Sequence, residues 1–118
     1  MPRTTTNKTP VVGPYPVSVP ADSLDINFQA ADTSNLNQFA PGGDDLILAW
    51  NTHATNPYTF TVTSAPDGLN RTGDITTYSI GAGEIAQFRV KNLGWVQSDG
   101  KVYIQASNSA VKFGIIAL

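Results

Sequence analysis

A repeated period of two is the feature that most constrains this chain. In "PYTFTVT", Tyr58, Phe60 and Val62 alternate with Thr59, Thr61 and Thr63. Successive side chains of an extended strand point to opposite faces, so this alternation marks a half-buried strand. "EIAQFRVK" sets Ala86, Phe88 and Val90 against Gln87, Arg89 and Lys91, with Ile85 out of phase, where a bulge or a second contact surface is expected. "LDINFQA" puts Leu24, Ile26, Phe28 and Ala30 on one side and predicts a further strand. "LILAWN" is apolar at both parities, as a central strand or one covered on both sides would be. "ITTYSI" reads as a short strand, and "AVKFGIIAL" as a terminal one with Val111, Phe113, Ile115 and Ala117 together. "GWVQSDGKVYIQAS" predicts a hairpin turning at Ser98-Asp99-Gly100, with Gly100 in the left-handed position. Turn-rich stretches separate these runs: "ADTSNLNQFAPGGDD", "SAPDGLNRTGD" and Gly81-Ala82-Gly83. No stretch keeps a 3.6-residue period. Roughly seven to nine short strands with regular turn signals predict an all-β domain, a single β-sandwich or jelly-roll-like fold.

The first twenty residues, "MPRTTTNKTPVVGPYPVSVP", stand outside this pattern. They are too broken by proline for a helix or a central strand. They are also too rich in Val and Tyr for a purely solvating tail. The chain is therefore divided into an extended N-terminal arm, residues 1–20, and a sandwich, residues 21–118. Ordering an arm costs about 1–2 kcal/mol per residue in backbone entropy. Pro10, Pro14, Pro16 and Pro20 lower that cost by holding the free arm near extended forms. The arm is expected to be mobile in isolation and to become ordered on another protein, through Val11, Val12, Pro14, Tyr15, Val17 and Val19.

Composition narrows the choice of function. Only 14% of the 118 residues are charged, and the net charge is −2 with no basic run. Neither a nucleic acid nor an anionic membrane is the expected partner. There is no cysteine, which removes disulfides, thiolate metal sites and thiol nucleophiles together. No apolar leader or membrane-length window is present, so the protein is expected to stay where it is made or to leave without a signal peptide.

Chemistry is sparse. His53 is the one histidine and lies in the turn-like "NTHATNP"; Glu84 is the one glutamate. No nucleophile, base and orienting group are spaced to work together, so no enzyme and no cofactor is expected. Asp67, Asn70 and Asp74 could offer oxygens to a cation, but Asx residues in such a loop serve turns equally well. Trp50, Trp95, Tyr58 and Tyr78 are expected to fill the core. Tyr103 opposes the parity of Val102 and Ile104 and is expected at solvent or at a partner. Ile116 and Leu118, with Ile47 and Ala49, are candidates for a protomer contact; the alternative is a second covered face within the same domain.

Three stretches, "SLDINFQAADTSN", "RTGDITTYSIGAGEIAQF" and "GWVQSDGKVYIQASNSAVKFGIIAL", resemble small proteins of tailed bacteriophages encoded beside the major capsid protein. The resemblance covers residues 22–118 and is most specific from Arg71 to Glu84 and at the Gly94-Trp95 hairpin. It implies a head decoration, or cement, protein: small, β-rich, often trimeric, made in the host cytoplasm and bound to the outside of the capsid. It also implies that the N-terminal arm grips the major capsid protein. A second reading is a carbohydrate- or receptor-binding sandwich at a virion tail or tip, for which Tyr58 and Tyr103 are the test positions. A third is a head-completion or tail subunit, differing only in where it attaches.

Overall fold

The computed structural model describes residues 3–14, 16, 18–21, 25–65, 75–91 and 94–118, with only the backbone of Ile75. Among the described residues ten strands run in chain order: β1 (Thr4–Thr5), β2 (Lys8–Pro10), β3 (Gln29–Ala30), β4 (Asn37–Phe39), β5 (Asp44–Asn51), β6 (Tyr58–Thr63), β7 (Ile75–Ile80), β8 (Ile85–Lys91), β9 (Val102–Ala106) and β10 (Val111–Ala117). They form two mixed five-stranded sheets. One has the order β1-β4-β9-β6-β7; the other has β2-β10-β5-β8, with β3 also pairing β10. Packed together they make an all-β sandwich.

Strand alternation builds the core. β5 buries Asp45, Ile47, Ala49 and Asn51 and turns Leu46, Leu48 and Trp50 outward. Ile47 lies opposite Ile115 on β10 and Phe88 on β8. In the other sheet Val62 lies opposite Ile104, and Phe39 opposite Val102. These residues join Phe60, Val90, Val111 and Phe113 in one apolar cluster between the sheets. Ile47 and Ala49 are thus core residues, fully buried within one chain, and not a protomer contact as their sequence context implied. The parity of β5 was ambiguous because both of its faces are apolar, and its inner face is the one that begins at Asp45.

The outer face of β5 is covered by a segment expected to be a strand. Of "LDINFQA", only Gln29 and Ala30 enter a ladder, on Phe113 and Lys112 of β10. Asp25–Phe28 instead crosses the outside of the sheet, with Ile26 and Phe28 half-buried and Asp25 and Asn27 exposed. Phe28 meets Trp50 edge-on at 5.4 Å. Gly114 makes this crossing possible: a Cβ there would lie 2.8 Å from Ile26 Cγ2 and 3.1 Å from Phe28 Cε1. Gly114→Val is therefore expected to lift residues 25–28 from the sheet. The expected cost is about 1–3 kcal/mol, typical of forced overpacking, and a urea melt measures it.

Residues 3–10 belong to the sandwich, so the boundary expected at Pro20 does not divide arm from body. β1 pairs in parallel with β4, and β2 in parallel with β10. Each ladder is continued by backbone bonds: Thr4 N–H to Leu36 O, Thr6 N–H to Gln38 O and Val11 N–H to Ala117 O. Thr6, between the two short strands, is 2% exposed. One segment thereby caps the edges of both sheets along one side of the sandwich. The physical reason is the unpaired edge itself: β4 and β10 would otherwise leave open backbone groups. Strands of two and three residues, carrying Lys8 and ending at Pro10, cap them without creating a long new edge.

What projects is the stretch that follows. Every described residue from Val11 to Ala21 is exposed, as is Asp25. Ile26 then lines, with Thr9, Pro10, Val11, Val12 and Ile116, a groove of about 180 Å³. Val11, Val12 and Ile26 thus meet at one place, where the chain leaves the sandwich and returns to it.

Candidate functional site

The projecting loop rests on a seat built from charged and polar groups around β1 and β2. Arg3 Nη1 donates to Asn37 O at 3.0 Å and Ile104 O at 3.3 Å, and its guanidinium lies 4.1 Å above the Tyr103 ring. Thr4 Oγ1 donates to Asp32 Oδ2 at 2.5 Å. Gln29 bridges the gap between the short strands, accepting from Asn7 N–H and donating to Thr5 O. Asn37 is fully buried; its Oδ1 accepts from Asp32 N–H, and its amide donates to Thr6 Oγ1.

The strongest element of the seat is Lys8. Its Nζ lies 3.1 Å from Asp45 Oδ1 and donates to Ala40 O at 2.9 Å. Asp45 is 1% exposed, and its Oδ2 accepts from Gly42 N–H at 2.8 Å. Oδ1 receives no hydrogen bond of good geometry, so Lys8 is its counter-charge. Lys8 also needs the space over Gly42, where a Cβ would stand 2.9 Å from Nζ.

Above this seat the loop carries no charge from Thr9 to Ala21. Val11, Val12 and Val19 are 56%, 45% and 41% exposed, and Pro14 is exposed beside them. Tyr15 and Val17 lie outside the described residues. Ile116 is half-buried in the groove at the loop's base, and Leu118, 52% exposed, closes the chain with its N–H on Asp44 O. Val11, Val12, Ile116 and Leu118 therefore share one end of the structure, while Ile47 lies beneath it in the core. Tyr103 is held within its own chain: Arg3 covers its ring and its hydroxyl donates to Asp99 Oδ2 at 2.6 Å.

The far side of the sandwich differs. Between β7 and β8 opens a cleft of about 310 Å³ lined by Phe60, Tyr78, Ile85, Ala86, Gln87 and Phe88. Phe60 and Tyr78 meet edge-on at 5.8 Å, and Tyr78 is 54% exposed. Tyr58 packs edge-on against His53 and Tyr103 lies under Arg3, so these two tyrosines form no shared platform. His53 serves its turn, with Nδ1 accepting from Thr55 N–H and Asn56 N–H. Among the described residues no three His, Cys, Asp or Glu side chains stand together. Asp67, Asn70 and Asp74 lie outside the described residues.

Several carboxylates tie distant segments together and titrate accordingly. Asp32 is held below the ordinary carboxylate range by the Asn35 N–H and then by the Thr4 hydroxyl. Asp44 is lowered by its paired hydrogen bonds from Arg89. Asp99 is lowered chiefly by the Tyr103 hydroxyl, whose own pKa is raised by the same bond. A carboxylate with a lowered folded-state pKa adds stability that is complete above its unfolded value of about 3.9 and is lost as pH falls through the folded value. Stability is therefore expected to be level around neutrality and to decline below about pH 4, as denaturant midpoints across an acid series measure. The Tyr103 contribution has the opposite sense, disappearing as pH rises past about 10.

Lys8, Asp45 and Arg3 were not singled out by sequence reasoning. The available signal was two isolated cations, Arg3 and Lys8, in an otherwise uncharged arm. No family model, no curated protein and no solved structure matches this chain.

Proposed function

We propose that the protein is a structural subunit of a tailed-phage virion that binds the outer surface of the shell and stabilises it, a decoration or cement protein. It acts by binding alone. Its partner is the major capsid protein, its location is the capsid exterior, and it works as a homo-trimer. The resemblance of residues 22–118 to small head proteins supplies the class. The uncharged, proline-rich loop from Val11 to Ala21, exposed at each described residue, is the observation that carries the binding role.

A loop fixed at both ends by a sealed sandwich loses less entropy on docking than a free arm would. Val11, Val12 and Val19 remain outside the core, available to a partner's apolar surface. The anchor is accordingly a loop, residues 11–21, and not a free twenty-residue arm.

The triple substitution Val11→Ser, Val12→Ser, Val19→Ser tests the proposal. These side chains are exposed, so folding is expected to be unchanged by circular dichroism. Losing about 1.5 kcal/mol of burial at each valine lowers affinity for undecorated shells by more than 100-fold. Undiminished binding by the triple variant contradicts the assignment of the loop.

A ligand-binding sandwich at a tail or tip is favoured only by the aromatic cleft between β7 and β8. That reading expects glycan binding that disappears with Tyr78→Ala while shell binding is untouched.

A further inference from the structure

The seat beneath the loop is specific in a way that an ordinary sheet edge is not. It offers two parallel ladders, one on β4 and one on β10, which a single segment crossing between the sheets fills. It holds a carboxylate, Asp45, that is 1% exposed and faces Lys8 Nζ through Oδ1. It also places Tyr103 to receive the Arg3 guanidinium, 4.1 Å from the ring. An occupant must therefore bring a guanidinium, a small polar residue at the crossing and an ammonium four to five residues beyond the guanidinium. Residues Arg3–Pro10 of this chain meet all three demands, with Thr6 at the crossing.

The connection between these strands and the body does not fix which copy supplies them. Between Val12 and Ile26 every described residue is exposed, and none belongs to the core cluster of described residues. The thirteen residues 13–25 span about 40 Å when extended. That is comparable to the long dimensions of the molecule, 44 and 39 Å. The loop is long enough to deliver residues 3–10 to an adjacent copy.

We infer that the N-terminal strands are exchangeable: residues 3–10 of one copy can occupy the β4/β10 seat of a second copy, linking neighbours. Each ladder, the Lys8–Asp45 pair and the Arg3–Tyr103 contact is made once in either arrangement, so concentration decides between them. A connection of this length holds its own strands near the seat at an effective concentration on the order of millimolar. The closed copy dominates in dilute solution. Exchange becomes competitive where copies are crowded to a similar level, and a decorated shell is such a place. Only this last setting rests on the proposed function; the exchange itself does not.

The chain has no cysteine, which allows a direct test. Thr9 and Ile116 are paired across the β2–β10 ladder and line the same groove. Two full-length variants, Thr9→Cys and Ile116→Cys, are unfolded together, refolded at about millimolar concentration and oxidised. Peptide mass mapping then counts the disulfides. A 9–116 disulfide in this mixture joins the strand of one copy to the seat of another. It is expected to exceed 9–9 and 116–116 disulfides by about tenfold, and to fall to their level after refolding at micromolar concentration. A 9–116 yield no higher than the other two at millimolar concentration overturns the inference. Mixing Lys8→Glu with Asp45→Lys gives a second readout: exchange restores charge pairing only in the mixed dimer, which light scattering detects. If neither the mixture nor either variant alone forms a dimer, exchange does not occur. No shell is used, so the outcome is separate from that of the shell-binding experiment.

Discussion

A chain that begins at Val11 is expected to lose most of its folding stability, although only two strands of two and three residues have been removed. The main cause is Asp45. In the intact chain its carboxylate is 1% exposed, with Gly42 N–H as its one good hydrogen bond and Lys8 as its counter-charge. Stranding a buried charge costs about 3–5 kcal/mol. The lower end applies here, about 3 kcal/mol, because Lys8 itself is 23% exposed. Loss of the β1 and β2 ladders, which leaves the edges of β4 and β10 bare, adds to it. The total is a large share of the 5–15 kcal/mol that holds a typical domain together. Lys8→Met isolates the charge, and its urea midpoint should fall by the equivalent of about 3 kcal/mol. Adding Asp45→Asn should recover most of the loss, because the neutral amide still accepts from Gly42 N–H and needs no counter-ion. A Lys8→Met variant as stable as the parent would show that the seat is not held by this pair.

The second large effect is expected at Asn51, the last residue of β5, which is fully buried. Its side-chain amide donates to Asn56 O and Ile80 O, both at 2.9 Å, and its Oδ1 accepts from His53 N–H at 3.0 Å. One side chain thus fixes the "NTHATNP" turn and ties the end of β5 to the end of β7 in the opposite sheet. Asn51→Ala leaves the buried Ile80 carbonyl and the His53 N–H without these partners, at about 1–3 kcal/mol for each unsatisfied group. A total loss of about 3 kcal/mol is expected in chemical denaturation. The Gly83 N–H bond to the Asn51 backbone O survives this substitution, so the loss is confined to the side-chain network. Asn51→Asp separates the parts of this network: it keeps the acceptor for His53 N–H and loses both donated bonds.

The strands that alternate over five residues or more were legible from sequence because their burial imposes the pattern. β6 buries Phe60 and Val62, and β10 buries Val111, Phe113 and Ile115, each in the register expected. Gly100 adopts its left-handed conformation, φ 82°, in the hairpin turn. The shorter elements were not legible. β4, whose Asn37 and Phe39 are fully buried, lies inside a stretch that reads as one long connection, since three residues are too few to show a period. β1 and β2 escaped notice because an edge strand gains its stability from the ladder and from one ion pair, neither of which leaves a hydrophobic signature. Asp25–Phe28 shows why alternation alone does not make a strand. Ile26 and Phe28 alternate because they cover the outer face of a sheet, which needs apolar side chains at that spacing but no backbone pairing. The exposed stretch after Pro10 was legible in composition and wrong in extent: its neutrality and prolines are local properties, while the point where the chain leaves the sheet edges is set by contacts with β4 and β10.

Amide hydrogen exchange on the free protein and on protein bound to shells measures the central claim most directly. In the free protein the amides of Thr4, Thr6 and Val11 are expected to exchange slowly, each being bonded to a sheet edge, while those of Val12, Gly13, Ser18 and Val19 exchange fast. On shells the second group should become slow and the first should stay so. Fast exchange at Thr4 and Thr6 in the free protein, or an unchanged fast loop on the shell, contradicts a sealed sandwich that binds through its projecting loop.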